Sequence, residues 1–525
     1  MKYSLWISIL VLMQVLSSNT MAQDQGNNAL HTLLLQETNN LILHTGVHSR
    51  LDSGFLAKYI IRPFSLQSHI ILSVDALFKT SDTSQTFVGF VPCGSCNPHA
   101  YLTRSIRTLS TGTTITRIGD SQFWEIHHKP RQTIHLQYFI IQDSIISDQQ
   151  DLTWRFPAIF TKNYCYLENA SLFALPTEWL EDGSFHTRKS ISIEWQTDST
   201  WRFANSFGAN QPRQLLHISA KDILRSMTIC SRDTSKCSIS SWTIGQNQHI
   251  YLATTGEFSS RNSVFSQELQ RIAEGSVHFW QDTSPLSFLT TLIPVVLAPQ
   301  DEETGVIGFA NTNGFVGFFS QKREQLNYSG KYLFTHEMLH KWMSAERFPE
   351  QDFSGFGYCA LEGFTDYLAR HIMLEKGIVT RTEYLKDCNT MISSYCQSQY
   401  KNIAADSIQK YFARNIVIKK LPYYRGDILA HIWANEIRKN TGGKHDFATA
   451  LRDIVQQHSG TVIIDQIFAK ALEPYIGRNV IGDILKYMKN GETIPIPPDM
   501  IPFAQLSTKQ DSTGIPQFEL LSESK

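Results

Sequence analysis

The chain has 525 residues, 18% of them charged, with 47 Lys and Arg against 48 Asp and Glu for a formal net charge of -1. That length accommodates two or three domains with sizeable cores. So even a balance predicts neither nucleic acid nor a strongly bound membrane surface as a partner, and no Lys/Arg-rich tract interleaved with aromatics stands out.

At the start, Lys2 precedes an apolar run from Leu5 to Leu16, and Thr20-Met21-Ala22 offers small residues suited to cleavage. Residues 1–22 therefore read as a secretory signal peptide cut after Ala22, and the mature chain as periplasmic or secreted. An uncleaved anchor is the alternative, disfavoured because the run is short for a bilayer. No Cys follows the cleavage site to accept a lipid, and no other apolar run reaches transmembrane length.

Residues 23–240 read as a β-rich, sandwich-like domain. Runs such as Tyr59-Ile60-Ile61, His69 to Val74, Thr133 to Phe139 and Ser190 to Trp195 recur between turn residues. Eight cysteines suit an oxidising compartment. Cys230/Cys237 and Cys388/Cys396 are close enough in sequence to close small loops. Cys93-Gly94-Ser95-Cys96, in a Gly/Pro/Asn turn, reads as a structural bridge ahead of a zinc half-site or a redox pair.

From about 245 the pattern changes. His249 to Ala253 reads as a strand, 260–281 as an amphipathic helix, Phe288 to Leu297 as a strand and Gly305 to Ser320 as a Gly-rich hairpin. A helix is expected over Lys331–Met343, capped by Ser329 or a neighbour, and a second from about Tyr358 to Lys376, closed by Gly377. The chain is then mostly helical to about 489, with helices over Tyr423–Lys439 and Phe447–His458. The tail 491–525 carries Pro495, Pro497, Pro498 and Pro502 and reads as an extended or disordered end.

His336-Glu337-Met338-Leu339-His340 holds the chemistry. Two imidazoles four residues apart on a helix project from one face and can grip one metal ion. The glutamate between them is placed to take a proton from a water that the ion polarises. On the next helix Glu362 is suited to be the third ligand of a His₂Glu zinc site. Asp366, one turn on, is suited to accept a hydrogen bond from the outer nitrogen of a ligand His. Cys359, beside that face, reads as core.

Cys359-Ala360-Leu361-Glu362-Gly363-Phe364 resembles the Glu-Gly-Phe helix of gluzincin peptidases of the aminopeptidase N and glycyl aminopeptidase families. His340-Lys341-Trp342 is similar to the His-x-Trp they share, and Glu-x-x-x-Asp to the corresponding helix of thermolysin. Pro422-Tyr423-Tyr424-Arg425-Gly426 resembles their Tyr-x-Lys/Arg-Gly signature. The resemblance implies a multidomain protein with a β-sheet domain ahead of a thermolysin-like α+β catalytic domain over 245–490. It implies one Zn²⁺ on His336, His340 and Glu362, with Glu337 as general base, Tyr423 as oxyanion donor and a peptide or protein as substrate. The neighbouring Tyr424 competes for the tyrosine role, while His431 reads more readily as a packed histidine than as a second oxyanion donor.

The chain also departs from these families. Between His340 and Glu362 lie 21 residues, more than in aminopeptidase N relatives and fewer than in glycyl aminopeptidases, and Met343 stands where an Asn often follows the Trp. Ahead of the zinc helix the families' amine-binding Gly-x-Met-Glu-Asn strand has its nearest counterpart in Gly308-Phe309-Ala310-Asn311-Thr312. Gly308 would admit a close backbone approach by substrate. Asn311 takes the glutamate's place, and an amide cannot pair with an ammonium as a carboxylate does. Aminopeptidase action, thermolysin-like endopeptidase action, hydrolysis of another bond such as an epoxide, and binding or adhesion around a structural zinc all remain open.

Overall fold

The structure, a computed structural model, describes residues 50–66, 69–90, 102–119, 121–142, 158–295, 306–349, 355–412, 414–507 and 514–521. The proposed signal peptide and Cys93-Cys96 lie outside these. No helix among the described residues is long and apolar enough to cross a membrane.

The first part is built of three sheets. A six-stranded sheet has the spatial order Arg213–Ile218, Lys189–Trp195, Ala57–Leu66, His69–Lys79, Thr133–Gln142, Leu102–Thr108. Alternation along these strands sends Tyr59, Ile61, Val74 and Tyr138 to one face. There they meet Val88, Trp124 and Ile126 of a four-stranded sheet and Cys165, Leu167 and Phe203 of a five-stranded one. The alternate residues of that last sheet, Tyr166, Ala204, Met227 and Ile229, face the other way, onto Tyr251, Leu289, Val316 and Phe318. One sheet is thus shared between two cores, and through it the β-rich part braces the sheet that follows.

That following sheet runs Cys237–Ile244, Gln248–Thr255, Leu286–Val295, Gly314–Ser320, Val306–Asn311. Its three central strands are parallel, and helix Asn262–Trp280 forms the crossover between the first two. Both faces are covered: Ile250, Leu252, Phe288, Leu292, Phe315 and Phe319 pack on the helices, their neighbours on the β-rich part. The sheet starts at Cys237, so the junction falls a few residues before the 240–245 expected from sequence. In Cys237–Ile244 only the two end residues are buried, and such an edge strand carries little pattern.

The rest is helical, centred on Phe364, Trp433, Phe447 and Phe468, whose rings meet at 5.1–6.3 Å. Three expectations need correction. The helix predicted from Tyr423 starts a turn and more earlier, at Ile416, capped by the Asn415 side chain, and runs to Asn440 with Pro422 inside. Lying within the first two turns, that proline forgoes one N–H bond without ending the helix. The tail after 491 is largely irregular but packed: Ile494, Met500 and Ile501 are buried, and Ala504–Leu506 pairs with Phe518–Leu520. Finally, the cysteines close in sequence do not pair. Cys230 faces Cys165 across two antiparallel strands, their sulfurs 2.9 Å apart as free thiols. Cys388 lies against His431, and Cys396 is a separate thiol.

Candidate metal centre

Three segments of the helical half converge on one point. The first is the motif helix Tyr328–Leu339, capped by the Asn327 side chain, which accepts from the Gly330 N–H at 3.0 Å. Phe334, Met338 and Leu339 bury one flank in the core, which turns His336 and His340 toward the second segment. The helix ends at Leu339, short of the expected Met343. The next residues form a tight turn in which the N–H groups of Trp342 and Met343 both donate to the Leu339 carbonyl. That turn brings the Met343 carbonyl to 3.0 Å from His340 Nδ1.

The second segment, Phe356 to Glu375, is one continuous helical rod with a π-helical stretch, Cys359–Phe364, in its middle. Single π turns widen a helix and tend to occur at functional sites. Here the wide turn carries Glu362. The third segment, helix Ile416–Asn440, crosses the π turn so closely that glycine is required on both sides. A Cβ on Gly363 would lie 2.6 Å from Gly426 Cα, and one on Gly426 would lie 2.2 Å from the Cys359 carbonyl oxygen.

The resulting geometry is compact. His336 Nε2 and His340 Nε2 are 3.1 Å apart, and Glu362 Oε2 is 3.3 Å from the first and 3.8 Å from the second. Ligands at about 2.1 Å around a tetrahedral ion sit roughly 3.4 Å from one another, so two imidazole nitrogens and a carboxylate oxygen here fit a zinc ion. Both outer nitrogens are held as well: His336 Nδ1 lies 2.7 Å from Asp366 Oδ1, and His340 Nδ1 donates to Met343. Each anchor fixes the tautomer that leaves Nε2 free to bind metal.

The charges agree with that assignment. Burial works against charge on His336, but hydrogen bonds to Asp366 and Glu362 outweigh it and raise its pKa to about 10 without metal. Burial opposes charge on Glu362 and Asp366 too, and the histidines reverse this and lower both. Glu337 goes the other way, its pKa raised chiefly by burial and tempered by the two histidines. A carboxylate held above its ordinary value is suited to accepting and returning a proton.

Tyr423, rather than Tyr424, is the tyrosine at the site. Its ring lies 6.3 Å from that of His336, nearly parallel, and its hydroxyl bonds Glu362. Tyr424 bonds Ser394 instead. His431 is a core residue, its Nδ1 donating to the Asp427 carbonyl at 2.9 Å and its Nε2 meeting the Tyr384 hydroxyl at 2.8 Å. Gly308 packs against Leu333 of the motif helix. Asn311, at the tip of the hairpin, turns its amide toward Met227 of the β-rich part, 3.9 Å from the sulfur, and its Oδ1 is buried without a partner. It is not drawn in among the metal ligands. Two participants went unread in the sequence: the Met343 carbonyl, and Tyr358, whose hydroxyl lies 3.4 Å from that of Tyr423. Tyr358 sits one turn before Glu362, and that spacing was the available signal.

No family model matches the chain, and no curated protein matches it. Solved structures do. An aminopeptidase N family protein from Idiomarina loihiensis aligns with a TM-score of 0.63 at 14% identity, over 88% of this chain and 81% of that one. An M1 zinc metallopeptidase from Deinococcus radiodurans aligns with a TM-score of 0.47 at 11% identity, over 85% and 96%. At 14% identity the first likeness speaks for fold, and the order of domains, the sheet and the convergence of three helical segments give this chain the fold of that aminopeptidase N family protein.

Proposed function

We propose that this chain is an exported zinc metallopeptidase, aminopeptidase-like, that hydrolyses peptide bonds. One observation carries the reading: two Nε2 atoms and a Glu362 oxygen converge within 4.8 Å, with a protonatable glutamate between the two histidines on the same helix. A structural zinc has no use for Glu337. His336, His340 and Glu362 would hold a Zn²⁺ ion, which would supply Lewis-acid polarisation of a water and of the scissile carbonyl. Glu337 takes the proton released as the carbonyl is attacked and hands it to the leaving amine. Tyr423 donates to the oxygen on which negative charge grows, a contact strongest in the transition state. Asp366 and the Met343 carbonyl hold the imidazoles in place throughout.

Asn311 supplies no carboxylate to a substrate amine, which favours endopeptidase action as the second reading. The test is zinc content and cleavage of a mixed peptide library by the mature chain beside Glu337→Gln. One zinc per chain with cleavage lost in the variant supports the peptidase, and N-terminally acetylated peptides separate the two modes. Zinc with no cleavage by either form would overturn it.

A further inference from the structure

The overall neutrality of the chain hides a local excess of positive charge beside the metal centre. Between Asp406 and Asp427 the sequence contains five Lys or Arg and no Asp or Glu. Arg425 is buried and committed to the carbonyls of Ile403 and Lys401, at 2.6 and 2.9 Å. The other four, Lys410, Arg414, Lys419 and Lys420, have no carboxylate partner among the described residues. By contrast, the exposed Arg478 is paired with Glu436 and Asp483.

Three of the four lie over aromatic rings instead: Lys410 over Tyr411 at 5.5 Å, Lys419 over Phe412 at 5.6 Å and Lys420 over Tyr423 at 4.2 Å. Those rings lead inward. Phe412 meets Tyr358 at 5.1 Å, Tyr358 meets Tyr423 at 5.9 Å, and Tyr423 lies alongside His336. Lys420 is near enough to act electrostatically on Glu337 and Asp366. The same surface exposes Tyr411, Val417 and Ile416, the last at 67% the most exposed large hydrophobic among the described residues. Contiguous apolar groups rimmed by unpaired cations mark an interaction surface.

We propose that Lys410, Arg414, Lys419 and Lys420, with the apolar residues between them, form a substrate-binding shelf for peptides carrying acidic side chains near the scissile bond. Substrate carboxylates pair with the ammonium and guanidinium groups while aliphatic or aromatic neighbours cover Ile416 and Val417. This rests on the peptidase reading above.

The zinc-loaded full chain is given matched peptides that differ only in Glu or Asp against Gln or Asn at positions flanking the cleaved bond, at 50 and 500 mM NaCl. Acidic peptides are expected to show about tenfold higher kcat/KM at low salt, a margin that shrinks as salt screens it. In Lys410→Glu/Arg414→Glu, and separately in Lys419→Glu, the ratio of acidic to neutral turnover is expected to fall about threefold per charge reversed. Because it is a ratio within one preparation, partial misfolding does not imitate it. Equal turnover of acidic and neutral peptides by the wild type would overturn the shelf while leaving the peptidase intact. Zinc binding without cleavage of any peptide would remove the peptidase reading and the shelf together. Sedimentation with vesicles of one-third phosphatidylglycerol, lost in the charge variants and accompanied by no peptide preference, would overturn it in favour of a lipid surface.

Discussion

Gly363 and Gly426 touch backbone to backbone, and that contact joins the two halves of the site. A side chain on Gly363 would strike Gly426 Cα and the Tyr423 carbonyl, and one on Gly426 would strike the Cys359 carbonyl. Gly363 directly follows the proposed ligand Glu362, and Gly426 lies one turn past Tyr423. The Glu-Gly-Phe and Tyr-x-Arg-Gly signatures are therefore two sides of a single close approach, which fixes the tyrosine hydroxyl against the carboxylate.

Gly426→Ala is expected to force the π turn and the long helix apart. A cost at or above about 3 kcal/mol follows, the upper end for overpacking, because the obstacle is backbone and cannot rotate away. Zinc affinity is expected to fall with it. Gly482→Ala, where an added Cβ meets nothing within 4 Å, is the control and should lie within about 0.5 kcal/mol of wild type. Denaturant midpoints of the two variants decide the matter, and equal midpoints would sink the close-contact argument.

Tyr423→Phe and Tyr424→Phe should separate cleanly. The first removes the hydroxyl beside Glu362, and loss of an oxyanion donor lowers kcat by about 10²–10³. The second removes a bond to Ser394 at a partly exposed position, and kcat should stay within about twofold, since no hydrogen bond to a reacting group is lost. Steady-state rates at saturating peptide, with zinc content checked in both, are the measurement. Comparable losses in the two would contradict the assignment.

Much of this site was readable before any coordinates, because its parts obey the helical period. His336 and His340 four apart, and Glu362 and Asp366 four apart, define faces whatever the tertiary structure does. What escaped depends on non-local distance. No residue pattern announces an i→i+5 turn, so the widening of Cys359–Phe364 is not legible in the sequence. The Met343 carbonyl escaped because any residue brings a carbonyl. Sequence spacing does not show the sulfur that Cys230 faces, because Cys165 is its neighbour only across strands, 65 residues away. The segment around Lys410 to Lys420 carries no sequence signal of its own, because its weight lies in the absence of carboxylate partners among the described residues.

Metal binding should be linked to protons through His336. Without metal its pKa is raised from 6.5 to about 10, so at pH 7 the empty site is protonated there. Its stabilising contribution to the apo protein is fully present below about pH 6.5 and is lost as the pH rises through about 10. A metal must displace that proton. Apparent zinc affinity is therefore expected to rise up to tenfold per pH unit between about pH 7 and 9, with close to one proton released per ion from this group. Asp366→Asn removes the charge that holds the proton and orients the ring, so it should flatten the slope. It should also weaken binding at pH 8 by about 10- to 100-fold. Chelator competition across this range, in buffers of different ionisation enthalpy, tests both, and a pH-independent affinity in the wild type would refute the linkage.

The proline-rich tail offers a test of packing rather than chemistry. Ile494, Met500, Ile501 and Phe518 are buried, the Tyr395 hydroxyl accepts from the Ile494 N–H at 2.9 Å, and the Asn389 side chain bonds both backbone groups of Phe518. Four buried apolar side chains at about 1.5–3 kcal/mol each amount to roughly 6–12 kcal/mol as an upper estimate. A whole domain is stable by only about 5–15 kcal/mol. Ending the chain after Asn490 is thus expected to leave the helical half unable to fold, and to abolish zinc binding although every proposed ligand is retained. Ile501→Ala, a milder change, should cost about 2–5 kcal/mol. If the truncated chain instead kept the wild-type denaturation midpoint and bound zinc, the tail would be an appendage and its prolines would mark disorder after all.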